Sequence, residues 1–333
     1  MNLLRTTVAI ARAWRRRLTP SGRRKLRTQY EALHDGETEP GLTRLSDKGV
    51  AHNGEVDVAW YAVGPADADV TVVFIHGYAL GAESFYDQVN ALRDENVRCI
   101  LIDVRGHGQS STVSPWLCTV DDAARDVLSV LDEVQPQGKI MLVGHSLGGM
   151  ISLAVIRLAP SELFAQFESA ILIGASMRRF AAKGLARILE TQLINLIYRI
   201  AERLPERVNK ARYEFAQFVA PLLAAVVTEI PSMAKVQFHA AMLLDTPLPS
   251  FLGFFDDLLD HSEFGAAERL AQLRGRIVVG SLDMITPASQ SQLISAHWPG
   301  ADLIEVEGSG HMVVLEDPEA ISAIIGEELL TLR

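Results

Sequence analysis

A serine hydroxyl becomes an effective nucleophile when an imidazole takes its proton and a carboxylate fixes the imidazole's tautomer and stabilises its charged form. The chain carries all three types in suitable settings. Residues 144–149 read Gly-His-Ser-Leu-Gly-Gly, directly after Lys139-Ile-Met-Leu-Val143 and before a helical pattern. A strained strand-to-helix turn in that context lifts a hydroxyl into a cleft, which makes Ser146 the candidate nucleophile. Gly144 and Gly148 let the chain pass closely, and the helix start beside the serine presents free N–H groups where negative charge would develop. His311, in Gly308-Ser-Gly-His-Met312, is the candidate base: of nine histidines it alone stands on a glycine-flexed loop after the last expected strand, ahead of Glu316-Asp-Pro318. Asp283, in Gly280-Ser-Leu-Asp-Met-Ile-Thr-Pro287, lies between a strand and a helix and is the candidate acid, with Asp103 as its rival. Alone, a Gly-x-Ser-x-Gly string is also what an ordinary glycine-rich turn looks like, so its setting and partners carry the argument.

Acyl transfer also needs donors for an oxyanion. His76-Gly-Tyr78 follows the run Val70–Ile75, and the N–H of Tyr78 together with that of Leu147 would supply two. His76, Gly77, Gly144, His145 and Gly148 are expected to support the site, the two histidines by packing and hydrogen bonding to buried backbone. Asp103, Arg105 and Ser110 in the loop Asp103-Val-Arg-Gly-His-Gly-Gln-Ser110 read as groups that hold a turn rather than react. His239 and Asp245 read as ordinary side chains of their segment. No spacing suggests a metal site, and no metal or organic cofactor is expected.

These residues need a frame that ends several strands at one edge. Val70–His76, Arg98–Asp103, Lys139–Gly144, Ala170–Gly174, Arg276–Gly280 and Asp302–Val306 are short runs rich in Val and Ile, the composition of strands buried on both faces. Helical patterns near Ser84–Glu95, Thr119–Val134, Leu147–Leu158, Ala288–His297 and Pro318–Leu332 alternate with them. Right-handed crossovers would make a mostly parallel, doubly wound α/β sheet. Ahead of it, strands over Thr43–Val50 and Glu55–Val63 flank His52-Asn-Gly54, a hairpin signal because Asn-Gly accepts positive φ. Between Gly174 and Arg276 the pattern changes to helical periodicity punctuated by Pro205, Pro221, Pro231, Pro247 and Pro249. That segment is expected to form an inserted helical cap over the carboxyl ends of the strands, where open α/β sheets bind ligands. Phe238, Met242, Leu243, Leu244, Phe251, Phe254 and Phe255 would form its apolar zone, mostly cap core and in part a pocket lining. The expected organisation is an extension over residues 1–41, a core in two parts, 42–175 and 271–333, and a cap over 176–270.

Composition narrows the classes. At 48% hydrophobic residues the 333-residue chain can bury a large core. A formal charge of −10 argues against nucleic acid as a ligand. Residues 1–30 break the trend with nine Arg or Lys and no acid, leaving 22 basic against 41 acidic residues in the rest. Leu3, Leu4, Thr7, Val8, Ala11, Trp14 and Leu18 fall at helical spacing there and Arg5, Arg12 and Arg16 on the opposite side, until Thr19-Pro20. Such a helix suits peripheral attachment to an anionic membrane, and equally packing on its own domain or a partner. Cys99, inside a strand-like run, reads as a buried thiol; its spacing from Cys118 is not metal-like, and no disulfide is expected. There is no apolar run of about 18 residues, and Arg5 and Arg12 interrupt any secretory signal. The expected location is cytoplasmic.

Together, the segments at 76–78, 103–110, 144–148, 280–287 and 308–312 make the chain resemble the α/β-hydrolase superfamily, in the branch with a helical cap, over roughly residues 42–333. Carried over residue by residue, Ser146 resembles the family nucleophile, His311 the base, Asp283 the acid, and Tyr78 with Leu147 the oxyanion donors. The resemblance implies a serine hydrolase of carboxylic esters, with a lean from the apolar cap and basic extension toward lipophilic acyl esters such as acylglycerols, as in carboxylesterases and lipases. The same fold and triad also serve thioesters, lactones, carbon–carbon bonds, peptides at proline and perhydrolysis, and some members are receptors or scaffolds. Dehalogenation and epoxide opening use an aspartate where this chain has Ser146.

Overall fold

The computed structural model describes residues 47–178, 238–239, 242–243 and 245–333. Eight strands form one sheet: β1 (Lys48–Asn53), β2 (Val56–Val63), β3 (Val70–Ile75), β4 (Arg98–Ile102), β5 (Lys139–His145), β6 (Phe167–Ile173), β7 (Arg274–Gly280) and β8 (Ala301–Val306). Their order is β1-β2-β4-β3-β5-β6-β7-β8, with β2 antiparallel to both its neighbours and every other pair beyond it parallel. The continuous apolar runs are strands buried on both faces, and alternate residues serve opposite cores. Val73, Ile75, Ile100, Ile102, Ile140 and Leu142 face one cluster, completed by the helices α2 (Val120–Val134) and α3 (Leu147–Leu158). Val72, Phe74, Cys99, Leu101, Met141 and Val143 face the other, completed by α1 (Tyr86–Ala91) and by α7 (Pro318–Leu332). Between β6 and β7 lies α4 (Leu248–Asp260), and near the end of the chain are α5 (Ala288–His297) and the short α6 (Val313–Glu316).

The strand order creates the crevice. From β3 the chain moves outward to β4 and then returns to the other side of β3 as β5. Connections leaving β3 and β5 therefore part to opposite faces, and the gap between them opens at the carboxyl ends of the strands. The loops after β3, β5, β7 and β8 all emerge at that edge because these strands are parallel.

Local signals fixed most boundaries. The side chain of Thr119 accepts the N–H of Asp122 and starts α2, while Pro318 and the Asp317 side chain, which accepts the N–H of Ala320, start α7. The hairpin differs in detail from the sequence reading. Asn53 remains in β1, paired with Val56, and Gly54 takes the positive φ of 64° at the first loop position, where type II′ turns need it. The helix expected over Ser84–Glu95 is a tighter turn over Ala82–Phe85 followed by α1, which stops at Ala91. β8 is mostly exposed, not buried on both faces, because it is the sheet edge.

The segment between β6 and β7 enters and leaves at one point. The N–H of Glu263 donates to the carbonyl of Met177 (2.8 Å). Arg157 of α3 fastens this neck, donating to both oxygens of Glu263 (3.0 Å each) and to Asp121. Beyond it α4 lies on the loops after β3 and β4. Gly253 approaches Pro115 so closely that a Cβ would lie 2.3 Å from the Pro115 carbonyl oxygen. Phe254 is fully buried with its ring 5.6 Å from that of His107, and Asp257 accepts the N–H of Val120 (2.9 Å) at the start of α2. Phe254 is thus core, Phe238 and Met242 pack on the opposite cluster, and Phe251 lies against Tyr78 at a centroid distance of 5.1 Å. The extension over 1–41 and most of the expected cap, including Pro205, Pro221, Pro231 and Leu244, lie outside the described residues.

Candidate active site

Ser146 stands where β5 passes into α3, with φ 54° and ψ −116°, a conformation that few non-glycine residues adopt. Holding it costs on the order of 1–3 kcal/mol, supplied by the surrounding packing. The flanking glycines show how tight the elbow is. A Cβ on Gly148 would lie 2.0 Å from the carbonyl oxygen of Ile75, and one on Gly144 would lie 2.3 Å from that of Gly148. The N–H of Ser146 donates to Ile173 of the neighbouring strand (2.8 Å), and its carbonyl accepts the N–H groups of Gly149 and Met150.

The structure brings together the three residues singled out by type and setting. His311 Nε2 lies 2.9 Å from Ser146 Oγ, and His311 Nδ1 lies 2.9 Å from Asp283 Oδ2. All three are buried. The loop after β7 shapes the carboxylate: Asp283 Oδ1 accepts the N–H groups of Ile285 and Thr286 (2.8 Å each), a turn typical of aspartate. Burial pushes the Asp283 carboxyl up, but His311 and Thr286 outweigh it and hold the group below the usual carboxylate range. Thr286, which sequence reasoning missed, sets its hydroxyl 2.7 Å from Asp283 Oδ2, 2.9 Å from the Gly174 carbonyl and 3.1 Å from His311 Nδ1. The Asp-x-x-Thr spacing was the available signal.

Asp103, the rival acid, does not approach His311. Its carboxylate accepts the N–H groups of Ala82 (2.8 Å) and Gln109 (2.9 Å) and the hydroxyl of Tyr61 (3.1 Å), tying the loops after β3 and β4 together. Burial raises its pKa despite these bonds. Arg105 ties the same loop to α2, forked onto Asp126 with two bonds of 2.6 Å.

Buried histidines set the neighbouring backbone. His76 Nε2 accepts the N–H of Val104 (2.9 Å), so Nδ1 carries the proton and donates to the Gly77 carbonyl (2.8 Å). His107, unremarked in the sequence, accepts the N–H of Ala79 (3.2 Å), a non-glycine residue at φ 56°. His145 Nε2 donates to the carbonyl of His311 (2.8 Å), while its Nδ1 faces Gly77, where a Cβ would lie at 2.8 Å. Burial pushes His76 down to about 4 and His107 and His145 to about 3, so each is neutral. The turn they hold carries Tyr78, and Leu147 starts α3; among the described residues neither amide has an acceptor. The Tyr78 hydroxyl donates to the carbonyl of Phe251 (2.5 Å), and burial raises its pKa well above the usual tyrosine value. His239 is also neutral, burial and the neighbouring His311 lowering it to about 4.

Among the described residues, Asp121, His261 and Glu263 have ligand atoms close enough to share a cation. The Arg157 guanidinium already bonds the two carboxylates, so this cluster fits an arginine-centred ion network.

The model of the alpha/beta hydrolase family matches residues 72–324. The chain is similar to the dihydrolipoyllysine-residue acetyltransferase component of the acetoin cleaving system of Pseudomonas putida, 26% identical across 79% of this chain and 64% of that protein. It is also similar to methylesterase 18 of Arabidopsis thaliana, 23% identical across 75% of this chain and 93% of the relative. Among solved structures, a thermophilic esterase from Thermogutta terrifontis superposes with a TM-score of 0.67 at 19% identity, covering 86% of this chain and 99% of the other, which shows the shared fold.

Proposed function

Because the chain belongs to the alpha/beta hydrolase family, we propose that it is a serine hydrolase that cleaves carboxylic esters through an acyl-enzyme on Ser146. The observation that carries this reading is the hydrogen-bonded line from Ser146 through His311 to Asp283, with both links at 2.9 Å. Ser146 Oγ attacks the ester carbonyl carbon as His311 Nε2 takes the hydroxyl proton. Asp283 holds the opposite nitrogen in its protonated form and stabilises the imidazolium. The tetrahedral oxyanion receives the N–H groups of Tyr78 and Leu147, fixed in place before the reaction begins. Collapse expels the alcohol, which takes the proton from His311. Water then attacks the acyl carbon, giving its proton to His311, and the acid leaves as Ser146 recovers its hydrogen.

Lipophilic acyl esters are the substrates we favour. Leu282, Met284 and Ile285 stand exposed around Asp283 on the loop after β7, and Phe251 packs on Tyr78. An apolar rim of this kind suits a neutral acyl chain. The name of the methylesterase relative is in keeping with ester chemistry. The basic pattern of residues 1–30 suits a peripheral hold on anionic lipid; among the described residues no helix is long and apolar enough to cross a membrane.

A fluorophosphonate probe, together with p-nitrophenyl and glycerol esters of graded length, tests the reading. The wild type should take the label and hydrolyse esters, and Ser146→Ala should lose both, with activity falling on the order of 10⁴-fold or more. A Ser146→Ala protein that retains most of the wild-type rate refutes it.

A further inference from the structure

The loop bearing His311 is held from inside the fold by one carboxylate. Glu316, at the end of α6, folds back so that its two oxygens accept the N–H of Gly310 (2.6 Å) and the N–H of Met312 (2.9 Å). These residues stand on either side of the histidine. With the His311 carbonyl bonded to His145 (2.8 Å), the backbone around the histidine is tied at three points. Resting on the reading of His311 as the base, we propose that Glu316 is a positioning residue whose carboxylate clamps the histidine loop and whose protonation slackens the clamp and slows the reaction.

The chemistry follows from counting acceptors. A carboxylate offers lone pairs on both oxygens, whereas a carboxylic acid turns one oxygen into a hydroxyl that is poorly matched to a facing N–H. One of the two amides then loses most of its bond, on a loop whose ring must stay within reach of Ser146. Burial pushes the Glu316 carboxyl up to about 7, against the pull of the two N–H groups and His311, so the change of state falls in the neutral range. The ionisable groups beside it are His311 on its own loop and Asp283 on the loop after β7, the latter a like charge that raises it further. His145, behind the loop, is neutral, and the Asp317 side chain is turned away to cap α7.

The test is the rate of fluorophosphonate labelling of the full-length protein from pH 5.5 to 8.5, wild type against Glu316→Gln. Labelling needs no knowledge of the natural substrate. Glutamine keeps one carbonyl acceptor and turns an amide donor toward the other N–H, so it imitates the slackened state at every pH. The ratio of wild-type to variant rate should rise from near 1 at the acid end to about 10 at the alkaline end, given how steeply rate depends on placement of reacting groups. Its midpoint should lie near pH 7. A ratio that does not change with pH overturns the proposal, because a merely structural role would lower the rate equally throughout. Hydrogen exchange on the wild type supplies a second measure should Glu316→Gln not fold. Corrected for intrinsic rates, the protection of the Gly310 and Met312 amides should fall as pH is lowered through 7, and protection independent of pH overturns the clamp. A wild type that takes no label refutes the serine-hydrolase reading instead, and exchange still decides the clamp.

Discussion

Replacing Asp283 by asparagine should lower kcat/KM by roughly four orders of magnitude while leaving the fold in place, because the site dictates which way the new amide faces. Asp283 Oδ1 accepts two backbone N–H groups at 2.8 Å. The asparagine carbonyl has to take that position, since an NH2 there would oppose two donors and forfeit two bonds worth about 1 kcal/mol each, besides leaving both amides unsatisfied. The NH2 then lies where Oδ2 stood, 2.9 Å from His311 Nδ1. Facing a donor, Nδ1 becomes the acceptor and the ring proton moves to Nε2. An Nε2–H turned toward Ser146 cannot take the serine proton. Returning to the working tautomer costs a few kcal/mol, at about 1.4 kcal/mol per tenfold in rate, and the lost stabilisation of the imidazolium accounts for the rest. The measurement is hydrolysis of p-nitrophenyl acetate by wild type and Asp283→Asn, with melting temperature recorded alongside. A folded variant within tenfold of wild type, or an Asp103→Asn protein that is folded and inactive, would show that the wrong carboxylate has been paired with His311.

Gly148→Ala should fail to accumulate as folded protein or melt far below wild type, since the added carbon would lie 2.0 Å from the Ile75 carbonyl oxygen; a variant with unchanged melting temperature contradicts the close passage. Stability should fall from pH 7 to pH 5. The unfolded chain protonates His76, His107 and His145 near their ordinary 6.5 whereas the folded chain resists to about 4, 3 and 3, a loss of about 2 kcal/mol for each histidine. Glu316, raised to about 7, binds its proton earlier in the folded state and returns about 2 kcal/mol over the same window, so the denaturation midpoint should still drop at pH 5, and an unmoved midpoint refutes the burial of these rings. Deleting residues 1–30 should abolish salt-sensitive co-sedimentation with anionic vesicles yet spare hydrolysis of a soluble ester; no vesicle binding by the full chain, with unfolding of the truncated one, would make the segment part of the fold.

What could be read from the sequence was whatever local chemistry encodes. α3, α5 and α7 occupy the spans expected for them because a strained serine, Pro287 and Asp317-Pro318 mark their starts within a few residues. The five glycine-rich or acid-bearing loops were legible for the same reason. His107 and Glu316 were not, because each acquires its role from a contact made in space, His107 with the amide of Ala79 and Glu316 with two amides of a loop that the sequence shows only as flexible; for Thr286 the Asp-x-x-Thr spacing hinted at its bond to Asp283 but not at the one to the Gly174 carbonyl. The hairpin was misplaced by a residue because Asn and Gly both accept positive φ, and only the pairing with β2 decides which of them turns.

The neck at Met177 and Glu263 has a bearing on how such a chain can change. Because Met177 and Glu263 meet in a hydrogen bond, the chain leaves the sheet and rejoins it at a fixed boundary whatever the length of the segment between residue 178 and α4. Closing a flexible loop of twice the length costs only about 0.6 kcal/mol more. Between Met177 and Glu263, α4 is itself part of the frame, through Phe254 in the core and Asp257 on the start of α2, and Ser146, Asp283 and His311 sit on loops whose registry the strands enforce. The three residues of the candidate site are thereby anchored in the part of the chain that resists drift.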